Sequence, residues 1–318
     1  MSADVLLKGE RYELTADDSL YPQALALIAR PPRKLFVVGD PLVLREGLAV
    51  IGARKATPYG RGCARRFASI AAERGIVIIS GGARGCDAAA HEAAFEVGGK
   101  TVVFLGGGCD RVYPCEHKGL FQRVVDAGGA VVSEQPWECD PRPYMFRERN
   151  RLIAGLARAT LIVEAGLPSG TFSTADEALA ANRDVLVVPG SITSVYSRGA
   201  NRLIYQGATP VVDEETFGDQ LFDLFGCLRY PRTENREGDE VCKGDADVNG
   251  ALLESLRAEP LGVEELVGVA RLAFGEEDVL TKVMVWLAKA QSRGLIAQYP
   301  DGRYGPAMSG SPSPLRTR

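Results

Sequence analysis

A chain of 318 residues with 46% hydrophobic and 25% charged residues has the size and balance of a folded protein with one large and one smaller domain. No apolar run approaches the ~20 residues of a membrane span, and the opening MSADVLLKGERYELTADDS is too polar for a signal peptide, so no membrane role is expected and the expected location is cytoplasmic. The formal charge of −4 is wrong for a uniformly basic nucleic-acid binder, but residues 1–213 carry 25 Lys and Arg against 23 Asp and Glu, which puts the acidic excess in the remainder. Seven cysteines without close CxxC pairing exclude a disulfide framework and a standard zinc site. Cys109, Cys115 and His117 lie near one another but match no common ligand spacing, and neither a metal nor a cofactor is expected.

Residues 1–47 are mixed, with Tyr21-Pro22 and Arg30-Pro31-Pro32-Arg33 interrupting two short apolar segments. They read as an extension packed on the core. From residue 48 short runs of Val, Ile, Leu and Ala recur at 48–51, 76–79, 101–105, 130–133, 160–163, 185–188 and 209–212, each followed by a turn and most then by a helix-like stretch. Continuous apolar strands alternating with helices predict a parallel sheet covered on both faces, a doubly wound α/β domain over 48–225. Residues 226–247 lack apolar periodicity and read as a linker. Over 248–306 the pattern gives helices at 251–256, 263–269 and 279–293, then two strands around Asp301-Gly302, the outline of a winged-helix domain. The tail 307–318 reads as disordered.

Ligands of an open parallel sheet bind beyond the carboxyl ends of its strands, so the informative residues follow each run. After the first come Gly52, Arg54 and Lys55, and after the second Gly82, Arg84 and Asp87, with His91 one helical turn further on and in reach of Asp87. Gly106-Gly107-Gly108 follows the third. The most informative stretch is MFRERNRLIAGLARATLIVEAGLPSGT. Arg147 and Arg151 stand four apart, on one face of a helix, beside Arg149 and Asn150. Phe146, with Tyr144 and Trp137 before it, offers aromatic surface next to cations, a combination that stacks bases and holds phosphates. The stretch ends in the turn Ser169-Gly170-Thr171, a candidate anion cradle. Glu164, at a strand end, reads as a structural partner for one of the arginines rather than as a catalytic group.

Taken together, these strings resemble the DNA-processing protein A family (DprA, also called Smf). Tyr21-Pro22, IGARKATPYG, SGGARGCDAAAH, GGGCDRVYP, RERNRLIAGL, SGTFSTADEALAANR, VPGSI and SRGANRLIYQGA occur in the family's order from about residue 20 to 212. The resemblance implies an extended Rossmann-like, mostly parallel sheet with a small C-terminal winged helix. It also implies a non-enzymatic homodimer that binds single-stranded DNA and loads the recombinase RecA during natural transformation. It places the DNA pocket at Gly52, Arg54, Phe146, Arg149, Asn150, Arg151, Ser169, Gly170 and Thr171. Three departures stand out: Asp176 and Glu177 bring negative charge close behind the Ser-Gly-Thr turn, Cys86 replaces an aliphatic residue, and the N-terminal helical domain of longer members reads as truncated or absent. The alternative is a nucleotide sensor or a nucleoside-monophosphate phosphoribohydrolase-like enzyme, which Gly170-Thr171 with Glu177 matches only loosely and which would use Glu164 or Glu177.

Overall fold

The computed structural model describes residues 6–226 and, in the C-terminal part, 252, 255–256, 261–274, 279–292, 295–298 and 303–306. The chain divides into two compact units, residues 1–232 and 233–318.

The larger unit is a nine-stranded sheet between two helical layers. In chain order its elements are β1 (Arg11–Leu14), α1 (Gln23–Ala26), β2 (Leu35–Gly39), β3 (Gly47–Ile51), α2 (Pro58–Glu73), β4 (Ile78–Gly81), α3 (Cys86–Glu96), β5 (Thr101–Phe104), α4 (Lys118–Asp126), β6 (Ala130–Ser133), α5 (Pro143–Leu156), β7 (Ala157–Ile162), α6 (Thr171–Ala180), β8 (Asp184–Val187), α7 (Arg198–Tyr205), β9 (Thr209–Pro210) and α8 (Glu214–Phe225). The strands lie in the order β1-β2-β6-β5-β4-β3-β7-β8-β9. Those from β6 to β9 along this order are parallel, while β2 runs antiparallel to both β1 and β6. Two strands therefore come from the 47 residues that the sequence pattern leaves as an extension. LFVVG of β2 is buried at every position, as a strand covered on both faces must be.

Successive residues of a strand point to opposite faces. Ala49 and Ile51 of β3 enter a core with Leu152, Ile153 and Leu156 of α5. Leu48 and Val50 enter the opposite core with Phe67 of α2 and Ala90 of α3. Chain order runs from β3 outward to β6 and then returns to β7 on the other side of β3. That reversal is the topological switch point, and it leaves a crevice beyond the carboxyl ends of β3 and β7.

The smaller unit contains α9 (Val263–Phe274), α10 (Val279–Ser292) and an antiparallel pair, β10 (Ile296–Gln298) and β11 (Tyr304–Pro306). Leu266, Val283, Leu287, Ile296 and Tyr304 share one core. The expected linker beyond Gly226, the terminal tail and half of the expected first helix lie outside the described residues. Among the described residues no helix is long and apolar enough to cross a membrane.

Candidate nucleic-acid interface

The switch-point crevice is an open cleft of about 500 Å³, and a second recess of about 180 Å³ adjoins it. Phe146, in the first turn of α5, lines both, as do Arg54, Ala83 and Arg149. The ring fits because Gly106 has no side chain: a Cβ there would stand 2.9 Å from Phe146 Cδ1. The Arg54 guanidinium lies 5.6 Å from the centre of the Phe146 ring, a cation–π distance, and the Tyr113 ring is 5.5 Å away on the recess side.

Arg54, Lys55 and Arg147 are exposed on the walls. Among the described residues no carboxylate pairs with any of them. Arg84 lines the recess but is paired with Glu116. At the far end of the large cleft, Ser169, Gly170 and Thr171 lead into α6. Gly170 stands at the N-cap without a side chain, the Thr171 N–H donates to Ser169 Oγ at 3.3 Å, and the positive end of the helix dipole faces the cleft. Thr171 and Ser169 are joined through their hydroxyls at 2.7 Å, and Asn150 Nδ2 donates to Ser173 Oγ at 2.8 Å, tying α5 to α6 across the same wall.

Arg149 forms the floor. It occupies the buried stripe of α5 with Met145, Leu152 and Ile153 and donates from Nη1 to the Phe104 carbonyl. Burial pulls its pKa down to about 10, still cationic at neutral pH, and the same burial lifts the neighbouring Asp87 to about 6 against the attraction of Arg149. Gly52 and Gly82 line the large cleft and the recess respectively.

Of the residues that the resemblance assigns to the DNA pocket, Arg151 alone is not among those lining either space. Its guanidinium grips both Glu134 carboxylate oxygens at 2.9 and 2.6 Å and donates from Nε to the Arg30 carbonyl. The shared helical spacing with Arg147 does not bring the two together, because Arg151 extends toward β6 and Arg147 toward the cleft. Glu164 also departs from expectation. Its partner is not an arginine but Thr57, the N-cap of α2, which donates from its backbone N at 2.9 Å and from Oγ1 at 2.6 Å. Glu177 pairs with Arg30 at 3.0 Å, and neither Glu177 nor Asp176 lines the cleft. Both carboxylates that a nucleotide-hydrolysing reading would use are thus committed elsewhere.

His91 is not held by Asp87. Its Nδ1 lies 2.6 Å from Thr101 Oγ1 and its Nε2 2.9 Å from the Gly81 carbonyl. Trp137 lies under Arg11, 4.1 Å from its guanidinium, and donates to Glu13, so it anchors β1 rather than offering a stacking surface. The second ring at the cleft is Tyr113 instead. The GGGCDRVYP string carried that signal, but only the fold sets Tyr113 beside Phe146.

A family model for DNA recombination-mediator protein A matches residues 13–222. The chain belongs to this family. Among DprA/Smf relatives, protein Smf of Escherichia coli K12 is 40% identical over 209 residues, which cover 65% of this chain and 56% of that protein. The chain therefore matches little more than half the length of that relative. Two solved DprA structures are similar to this chain. The X-ray structure of DprA from Streptococcus pneumoniae has a TM-score of 0.61 and 34% identity, covering 67% of this chain and 74% of that one. DprA from Helicobacter pylori, described for its single-stranded DNA binding mode, has a TM-score of 0.62 and 29% identity, covering 69% and 100%.

Proposed function

We propose that the larger unit binds single-stranded DNA in the cleft, holding the sugar–phosphate backbone with Arg54, Lys55, Arg147, Arg149 and the N-terminus of α6, and stacking bases on Phe146 and Tyr113. One observation carries the reading: three exposed cations without carboxylate partners surround an aromatic pair at the switch point of the sheet. Phosphate contacts of this kind are indifferent to sequence, and rings accept any base. The recorded behaviour of the Helicobacter pylori relative supports it. In this reading the protein acts inside the cell as a homodimeric recombination mediator that delivers bound strands to RecA during transformation, and the C-terminal unit folds as a winged helix. That unit's acidity suits it to partner contact better than to reading a DNA groove.

The test is fluorescence anisotropy with an oligo(dT) strand and a matched duplex, each titrated with salt. Single strands should bind more tightly, with a log–log salt slope of ~0.7 per phosphate neutralised. Lys55→Ala and Arg147→Ala should each weaken binding to all sequences alike. A preference for duplex overturns the proposal. RecA delivery is read separately, as faster RecA nucleation on single strands when the protein is added.

A further inference from the structure

The cleft floor holds a carboxylate of the wrong sign for a polyanion. Asp87, in the first turn of α3, is 5% exposed and lines the large cleft. Burying an acid costs free energy, and placing it under a phosphate chain adds repulsion, so its presence calls for a compensating role. Its neighbours supply one. Oδ2 accepts from the backbone N of Ala83 at 3.3 Å, and the Gly52 N–H lies near enough to favour the charged carboxylate. One side chain thus ties the loop after β3 to the loop after β4. Gly81 leaves open the space between carboxylate and guanidinium, which attract each other across it without a direct hydrogen bond: a Cβ there would stand 2.6 Å from both Asp87 Oδ2 and Arg149 Nη2. Arg149 Nε, buried, has no hydrogen-bond partner in the protein.

We propose that Asp87 is a positioning residue for single-strand binding: it fixes the Arg149 guanidinium and the two flanking loops in the geometry that receives the strand, and its net effect on affinity is favourable despite its charge. The proposal rests on the single-stranded DNA reading above. It differs from the obvious expectation in sign. If repulsion dominated, removing the charge would tighten binding; if positioning dominates, removing it loosens binding.

Acidity offers a second readout. The charged groups facing Asp87 are Arg149 from α5, cationic across the neutral range, and Arg54 from the loop after β3; its chain neighbour Cys86 is a thiol pushed up to about 12, and His91, one turn along α3, is held neutral down to about 4. Only Asp87 in this group changes charge near pH 6. Protonating it releases Arg149, so affinity falls as pH drops. General acidification makes a protein more positive and strengthens polyanion binding, the reverse trend.

The experiment measures oligo(dT) anisotropy with the full chain and its Asp87→Asn variant at constant ionic strength, from about pH 7.5 to about pH 5.5, with melting curves in the same buffers. The expected result is roughly tenfold weaker binding by Asp87→Asn at neutral pH, a shallower salt slope, and a flat pH profile where the wild type weakens with acid. Equal or tighter binding by a folded Asp87→Asn protein overturns the proposal. If that variant does not fold, the wild-type profile decides: affinity that holds or rises on acidification overturns it. Absence of wild-type binding at every pH removes the DNA reading and this one with it, whereas normal wild-type binding with an indifferent variant removes this one alone.

Discussion

Phe146→Ala gives the sharpest test of how the cleft works. The substitution removes a ring that lines both spaces and leaves Gly106, Arg54 and Tyr113 facing a void. A base stacked on an aromatic side chain is worth ~1–3 kcal/mol, so affinity for oligo(dT) should fall roughly 5- to 150-fold. The ring is neutral, so the salt slope should not move. Arg54→Ala should do the opposite in part, weakening binding and lowering the slope by ~0.7 if it holds one phosphate. Because the Arg54 guanidinium lies 5.6 Å from the ring centre, the double variant should lose less than the sum of the two. The shortfall should be about 0.5–1 kcal/mol, the cation–π contact that either single change already removes. Anisotropy titrations at four or so salt concentrations with all four proteins complete the cycle. Unchanged affinity in Phe146→Ala, or a slope change as large as that of Arg54→Ala, refutes the division of labour between ring and cations.

Other expectations concern the residues that hold the cleft in place. Arg151→Ala breaks a two-point contact with Glu134 in which both side chains are only 11% and 15% exposed; it should cost about 1–3 kcal/mol in denaturant unfolding and leave the salt slope of DNA binding unchanged. Thr57→Ala removes both the cap on Gly60 N and a hydrogen bond to Glu164, so the melting temperature should drop by several degrees, for a loss of about 1–2 kcal/mol, without a matching loss of DNA affinity. His91, lowered by burial from 6.5 to about 4, takes up a proton on unfolding, so its contribution is complete above pH 6.5 and is lost as pH falls toward 4. His91→Gln should therefore flatten the acid side of the stability curve by about 3 kcal/mol relative to the wild type. The Asp87 carboxyl, raised instead, works in the opposite direction in the same range. An identical pH slope in wild type and His91→Gln would contradict the neutral buried imidazole.

Much of the larger unit is legible because a strand buried on both faces has to be a continuous apolar run, and seven such runs mark the parallel strands to within three residues. The start of β7 is the largest miss: Ala157-Arg158-Ala159 alternates, with Arg158 exposed, and reads as the end of the helix before it. β1 is missed because four alternating residues, RYEL, carry almost no signal. LFVVG of β2 was readable but sits behind Pro31-Pro32, which suggests a loop. Within the site, glycine turns and exposed cations announce themselves locally. Partnerships do not. Thr57 and Glu164 are 107 positions apart, Arg30 and Glu177 are 147 apart, and Arg151 and Glu134 meet only because α5 folds back over the sheet to reach the residue just after β6. Asp87 and His91 show the same limit at short range, since the four-residue spacing that could join them is overridden by Arg149 on one side and Thr101 on the other.

The two borders of the sheet have a bearing on how the molecule keeps its own company. An open border presents unpaired N–H and C=O groups on which another chain can build a ladder, the usual route to fibrous aggregation. Here one border, β1, is four residues long and carries Arg11 and Glu13; the other, β9, is two residues long and contains Pro210, which has no N–H to donate. A nine-stranded sheet thus ends on both sides in strands too short, too charged or too poor in donors to template a tenth. Were copies of this unit to meet, their contacts would fall to side chains, and the backbone ladder would stay a private, intramolecular structure.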